Sequence, residues 1–254
     1  MKIKAIAANT FREAIRDRIL YLLLFFAAAS LIFSRLLALL TVGDRVKIIK
    51  DVGLASLSLF GALMAILMGT GLVYKEIDKK TIYTLLSKPI HRYQFLLGKY
   101  LGLVLTLLVM LSLMSLIFLA IVFAHTLRVE WPLLVAIFYI FIEICLITAV
   151  AIFFSCFSTP ILSSIFSLSF YLIGHLSWGL EAPISKMKPG LVKILAQIVY
   201  TFLPDLENFN FKTEIVHHLP LPSKVFLFSA AYGIFYIIFL LALAVLVFRK
   251  RDFI

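Results

Sequence analysis

Tyr74-Lys75-Glu76-Ile77-Asp78-Lys79-Lys80-Thr81-Ile82-Tyr83-Thr84-Leu85-Leu86-Ser87-Lys88-Pro89-Ile90-His91-Arg92-Tyr93-Gln94-Phe95-Leu96-Leu97-Gly98-Lys99 is the most densely charged stretch of a very apolar chain. Long apolar runs flank it on both sides, so it reads as a segment in water between two membrane spans. Asp78 is a residue type that accepts backbone N–H bonds at a helix start. Pro89 cannot continue a helix. The pattern predicts a short helix from near Asp78 to about Lys88, a break, and a return into the bilayer. Such a compact knob can receive force from a soluble partner.

Working outward, the composition agrees. The chain has 254 residues, 63% hydrophobic and 15% charged, with a mean hydropathy of +1.09. A soluble domain of this length could not hide that much apolar surface. Runs near twenty residues mark membrane helices. Six are readable, at about Ile19–Leu40, Val52–Tyr74, Phe95–Phe123, Leu133–Phe154, Ile161–Gly179 and Val225–Phe248. They are continuous and do not alternate with period two, which excludes a β-barrel. The expected fold is therefore an all-α integral membrane protein with six transmembrane helices.

An even number of spans puts both termini on one side. That side carries fourteen lysines and arginines, and the opposite side carries ten, five of them in one long loop. Long loops count weakly in the positive-inside rule, so cytoplasmic termini in a multi-pass cell-membrane protein are favoured. The net charge of +11 reads as juxtamembrane anchoring to anionic lipid. The basic residues are scattered around spans, which argues against nucleic acid as a partner.

Residues 2–18 are read as an amphipathic helix lying along the inner membrane surface. Ile3, Ala7, Thr10, Phe11, Ala14 and Ile15 gather on one face. Lys2, Asn9, Arg12 and Arg16 gather opposite. The charged lead is too long, and the following apolar run too long, for a cleaved signal peptide. Segment 180–224 has a different texture, with Pro183, Pro189, Pro204, Pro220, Pro222 and Gly190. Its apolar stretch 191–203 is too short to span and could dip into the outer leaflet. Pro204 followed by Asp205, Glu207 and Asn208 favours turns and caps, and so an ordered outer cap.

Several side chains carry chemical potential. Glu143 is the only acidic residue near the centre of a span, and an intramembrane carboxylate is costly enough to be read as functional. The alternative is a protonated glutamate that only glues helices together. His175, near the outer end of span five, is its candidate partner. Met64/Met68 and Met110/Met114 are i,i+4 pairs whose sulfur could hold copper(I), although methionine is also ordinary packing filler. His217 and His218 could bind a metal. Neither reading is adopted, and no metal site is assigned. Ser163, Ser164, Ser167 and Ser169 mark helix contacts. Cys145 and Cys156 form no C-x-x-C motif.

Nucleotide-binding and hydrolase motifs are missing. Gly98-Lys99 is followed by Tyr100 and lacks the earlier glycine of a P-loop. No H-E-x-x-H or G-x-S-x-G occurs. The chain is therefore expected not to be an enzyme and to hold no cofactor of its own.

A set of loose motifs spans the whole chain. It comprises Ala8-Asn9-Thr10-Phe11-Arg12-Glu13-Ala14; Glu76 with Lys80-Thr81; Leu85-Leu86-Ser87-Lys88-Pro89-Ile90 through Arg92; Phe95-Leu96-Leu97-Gly98-Lys99; Leu203-Pro204-Asp205 to Phe209-Asn210; and Phe248-Arg249-Lys250-Arg251-Asp252-Phe253. In these the chain resembles the permeases of ABC-2 type ATP-binding-cassette transporters, most of all the branch that includes the permease of multi-copper-enzyme maturation systems. Where many relatives have Gly-Thr, this chain has Lys80-Thr81.

The resemblance implies one transmembrane domain over 1–254. It has an N-terminal elbow helix at 1–18, a cytosolic coupling segment at 75–94, and an extracytoplasmic loop with re-entrant helices at 180–224. It also implies a homodimer or heterodimer of permeases with two copies of an ATPase that binds the ATP and Mg. The residues that would couple to that ATPase are Glu76, Ile77, Thr81, Leu85, Leu86, Pro89 and Arg92. The expected function is the permease of an exporter. The alternative is a transducer that reshapes an outer partner while nothing crosses.

Overall fold

The computed structural model describes residues 2–40, 44–78, 91–186, 204–216 and 223–250, with positions 190, 193 and 197; the side chains of 40, 72–78, 178, 180–186, 223 and 250 are outside that description. The described elements are all helical: α1 Lys2–Ile15, α2 Arg18–Leu40, α3 Arg45–Asp78, α4 Arg92–Thr126, α5 Trp131–Ser155, α6 Pro160–Lys186, a 3₁₀ turn Leu206–Phe209, α7 Lys212–Val216 and α8 Ser223–Lys250. Six of them hold segments long and apolar enough to cross a membrane: Arg18–Leu39, Arg45–Gly71, Arg92–Thr126, Trp131–Ser155, Pro160–Ser177 and Lys224–Arg249. The chain is a multi-pass membrane protein. The end of the bundle bearing α1 and the close of α8 is called proximal here, and the other end distal.

Local signals set the helix starts. The Asp17 carboxylate accepts the N–H of Ile19 at 3.0 Å and so caps the entry to α2. Pro132 sits in the first turn of α5, and Pro160 opens α6, where a missing N–H costs nothing. The helices outrun the apolar windows. At 34 residues, α3 is about 51 Å long, against a hydrocarbon core of roughly 30 Å. The helix is longer than its apolar window, Arg45–Gly71.

This length corrects three expectations. Asp78 does not open a new helix; α3 runs unbroken from Arg45 through Asp78. Arg92, Tyr93 and Gln94 already form the first turn of α4, so the coupling segment expected at 75–94 ends inside a long helix. The loop expected from Leu180 begins later, because α6 continues past Pro183 to Lys186. Residues 79–90, the heart of the predicted knob, lie outside the described residues. So does most of the predicted dip at 191–203.

The two innermost helices, α3 and α5, pack directly on each other. A β-carbon on Gly61 would strike Ile144, and one on Gly69 would come within 2.7 Å of the Ala151 Cβ. Glycines eight apart on α3 therefore let α5 approach closely. By contrast α2, α6 and α8 turn Phe25, Ile161, Phe228 and Phe235 outward, away from this core. Ser30 and Ser56 join α2 to α3 at 2.7 Å. Thr70 and Ser164 join α3 to α6 at 2.9 Å.

Helix α1 contacts protein through the apolar face read from its sequence. Ala7, Thr10 and Ala14, from its predicted apolar face, are buried. They face protein, because α1 packs along the start of α4. A β-carbon on Gly98 would lie 2.7 Å from the Ile6 side chain, and one on Gly102 would lie 2.6 Å from the Ala7 carbonyl oxygen.

Candidate functional site

Two polar constellations sit at opposite ends of this bundle. The distal one gathers around Glu143. This residue lies twelve positions into α5, about 18 Å along the axis, and is fully buried. Residues 204–216 descend to meet it. Asp205 accepts from the Glu207 N–H at 3.1 Å and caps the 3₁₀ turn. The Asp205 side chain also accepts from the Ser177 hydroxyl at 2.6 Å, and its own N–H donates to the Tyr232 hydroxyl at 3.0 Å.

The turn is seated on two glycines. Leu206 fills the space at Gly174, where a β-carbon would lie 2.6 Å from its Cγ. Phe209 covers Gly233, where a β-carbon would lie 2.9 Å from its ring. Phe211 meets the Tyr139 ring edge-on at 4.6 Å between centroids. Leu206, Phe209, Ile215 and Val216 are all buried. Residues 204–216 are therefore packed into the distal end.

Segment 204–216 brings charge to Glu143. His175 Nε2 lies 2.9 Å from Glu143 Oε1. On the other side of the ring, Nδ1 lies 3.6 Å from Glu207 Oε2. The Ser58 hydroxyl on α3 sits 3.3 Å from each Glu143 oxygen and 3.4 Å from the Tyr171 hydroxyl. Asn210 Nδ2 donates to the second Glu207 oxygen at 2.7 Å. Lys212 feels both carboxylates. Burial holds its ammonium below the usual lysine range, and attraction to Glu143 and Glu207 opposes that shift.

The structure thus brings Glu143 and His175 together. It adds Ser58, Tyr171, Glu207 and Lys212, which the sequence reading had not assigned to a site. Only Asp205 and Glu207 carried a signal, as capping residues after Pro204.

The proximal constellation surrounds the start of α4. Arg92 Nη1 donates to the carbonyls of Phe248 at 2.9 Å and Arg249 at 2.8 Å. It caps the carboxyl end of α8, where a cation is favoured. Phe95 stacks on Phe248 at 6.0 Å. Lys99, only 1% exposed, reaches Glu13 of α1 at 3.4 Å. Of the other predicted coupling residues, Glu76 and Ile77 fall in the last turn of α3. Thr81, Leu85, Leu86 and Pro89 lie outside the described residues.

The remaining candidates are apolar packing or outside the described residues. Met64, Met68, Met110 and Met114 are all buried in the common core. Cys145 and Cys156 are buried and form no disulfide with each other. His217 and His218 lie outside the described residues. Among the described residues no three His, Cys, Asp or Glu side chains group as a metal site would need. On α6, Ser163 and Ser167 are buried and Ser169 is exposed.

No curated protein matches the chain significantly. A family model described as ABC-2 family transporter protein matches residues 4–253, which takes in both constellations and all six apolar helices. The chain belongs to the ABC-2 family of transporter proteins.

Proposed function

We propose that this ABC-2 membrane component is an export permease driven by a separate ATPase that docks on residues 75–94 from the cytoplasm. The proximal end is then the cytoplasmic end, and the partner subunits hold the ATP and Mg. One observation carries this reading: the first three turns of α4 are tied to both ends of the chain. Arg92 and Phe95 hold the end of α8, and Gly98, Lys99 and Gly102 hold α1. Segment 79–90 joins α3 to that junction. Closure of the ATPase against it would push on α3 and α4 together, and α1 and α8 would follow α4.

Within the docking segment, Ile77, Ile82, Leu85 and Leu86 supply apolar anchors, and Glu76, Asp78, Lys79 and Lys80 supply a charged rim. Truncated interface anchors often cost about 2 kcal/mol or more, whereas rim charges mainly tune encounter. The test is purification of the chain with its ATPase. Leu85→Ala combined with Leu86→Ala should leave membrane abundance unchanged and lower the ATPase-to-permease ratio. Lys79→Ala should change that ratio far less. A normal ratio in the double variant would sink the docking role.

A further inference from the structure

The imidazole of His175 stands between two carboxylates, and this arrangement has a proton requirement. Nε2 faces Glu143 Oε1 at 2.9 Å, and Nδ1 faces Glu207 Oε2 at 3.6 Å. A neutral imidazole has one N–H and one bare nitrogen, and an ionised carboxylate only accepts. With all three groups in those forms, a lone pair on the ring must face a lone pair on oxygen. One additional proton removes the conflict. It either makes the ring an imidazolium that donates both ways, or makes one glutamate an acid that donates to the bare nitrogen. Charge gives the same result. Glu143 and Glu207 contribute two negative charges, Lys212 contributes one positive charge, and the extra proton brings the cluster to neutrality. Burying a net charge beside the fully buried Glu143 is costly.

Among the described residues, these groups come from five elements. Ser58 lies on α3, Glu143 on α5, Tyr171 and His175 on α6, Glu207 on the 3₁₀ turn and Lys212 on α7. From α8, Tyr232 reaches Asp205 and not the cluster. Exposure is graded along the chain of contacts. The side chain is 36% exposed at Glu207, 20% at His175 and 0% at Glu143. Glu207 is thus the wet end of a relay and Glu143 the dry end.

We propose that Glu143, His175, Glu207 and Lys212 form a proton-binding latch that fastens segment 204–216 into the distal end of the bundle. The proton enters from the distal surface through Glu207 and His175. It is bound more tightly with the segment seated than with it lifted, because only the seated state forces the two carboxylates onto one ring. By linkage, seating is favoured at low pH and weakens as pH rises through the latch's titration. The proposal concerns this chain alone and does not depend on an ATPase partner.

Hydrogen–deuterium exchange tests it. The full chain is placed in lipid nanodiscs between pH 6 and 9, and exchange is corrected for its intrinsic pH dependence. Peptides covering 204–216 should lose protection as pH rises, by up to about tenfold per unit, the limit for a single proton. Peptides from the α3 segment 53–70 should not change.

In Glu143→Gln the amide NH₂ can donate to Nε2 while Nδ1–H donates to Glu207. Protection in that variant should stay high across the range. His175→Ala should give low protection with no slope. Replacing His217 and His218 with Gln should leave the wild-type slope intact. A flat wild-type profile overturns the latch whether or not the variants accumulate. It is equally overturned by a wild-type slope in Glu143→Gln, by a slope that survives in His175→Ala, or by one that vanishes with His217 and His218.

Discussion

Lys50 and Glu130 form an ion pair at 2.6 Å, with the lysine side chain only 5% exposed. It ties the distal start of α3 to the α4–α5 connection. Removing one member of a buried pair leaves the other charge stranded, at a cost of about 3–5 kcal/mol. Replacing both with apolar groups is often neutral. Glu130→Ala should therefore lower the thermal midpoint of the detergent-solubilised chain sharply, and Lys50→Met with Glu130→Leu should recover most of the loss. An additive double variant would show that the two residues do not act as a pair.

The seat of α1 on α4 makes a second expectation. A side chain at Gly102 must displace the Ala7 carbonyl, 2.6 Å from where its Cβ would lie. Overpacking of this kind costs about 1–3 kcal/mol. Gly102→Val should loosen α1 and speed tryptic cleavage at Arg12 and Arg16, both exposed. Gly71→Ala is the control, since its β-carbon would meet nothing within 4 Å. Equal cleavage rates in the two variants would contradict the packing role of Gly102.

Glu143→Gln discriminates between charge and glue. The amide keeps the shape and hydrogen bonds of a neutral acid. If the residue only held helices together, ATP-driven activity would survive. We expect the complex to assemble at the normal stoichiometry with that activity lost, because the latch can no longer release. Full activity would refute a role for the ionisable group.

Orientation is open to direct labelling. In a chain with Cys145 and Cys156 replaced by alanine, single cysteines at Val129, 64% exposed, and at the exposed Asn208 should react with an impermeant maleimide from outside intact cells. Cysteines at Lys79 and Arg251 should react only after lysis. Labelling of Lys79 in intact cells would invert the protein and remove the docking proposal with it.

The membrane spans were legible because burying about twenty apolar residues leaves a compositional mark. Their true lengths were not. Polar residues end a hydropathy window, but they do not end a helix, so α3 continued through Lys75, Glu76 and Asp78. The amphipathic face of α1 was also legible, since Ala7, Thr10 and Ala14 recur at helical spacing. That this face meets Gly98 and Gly102 was not, because the periodicity of one helix carries nothing about its neighbour.

The pairing of Glu143 with His175 shows the same limit. Hydropathy placed Glu143 near the centre of one span and His175 near the outer end of another. Contact depends on how α5 and α6 are rotated about their axes, and one sequence does not encode that visibly. Glu207 was read as a turn residue because its partner in space is 32 positions away along the chain.

The seating of Leu206 and Phe209 on Gly174 and Gly233 also bears on how segment 204–216 is held. Lifting the segment would expose those two side chains and the buried Ile215 and Val216. At about 1.5–3 kcal/mol for each side chain, the cost is on the order of 10 kcal/mol. With one factor of ten for every 1.4 kcal/mol, an unassisted opening is populated roughly once in 10⁷. Apolar seating of this size means that segment 204–216 rests in place by its own packing, and that the cluster around His175 modulates a position the side chains already favour.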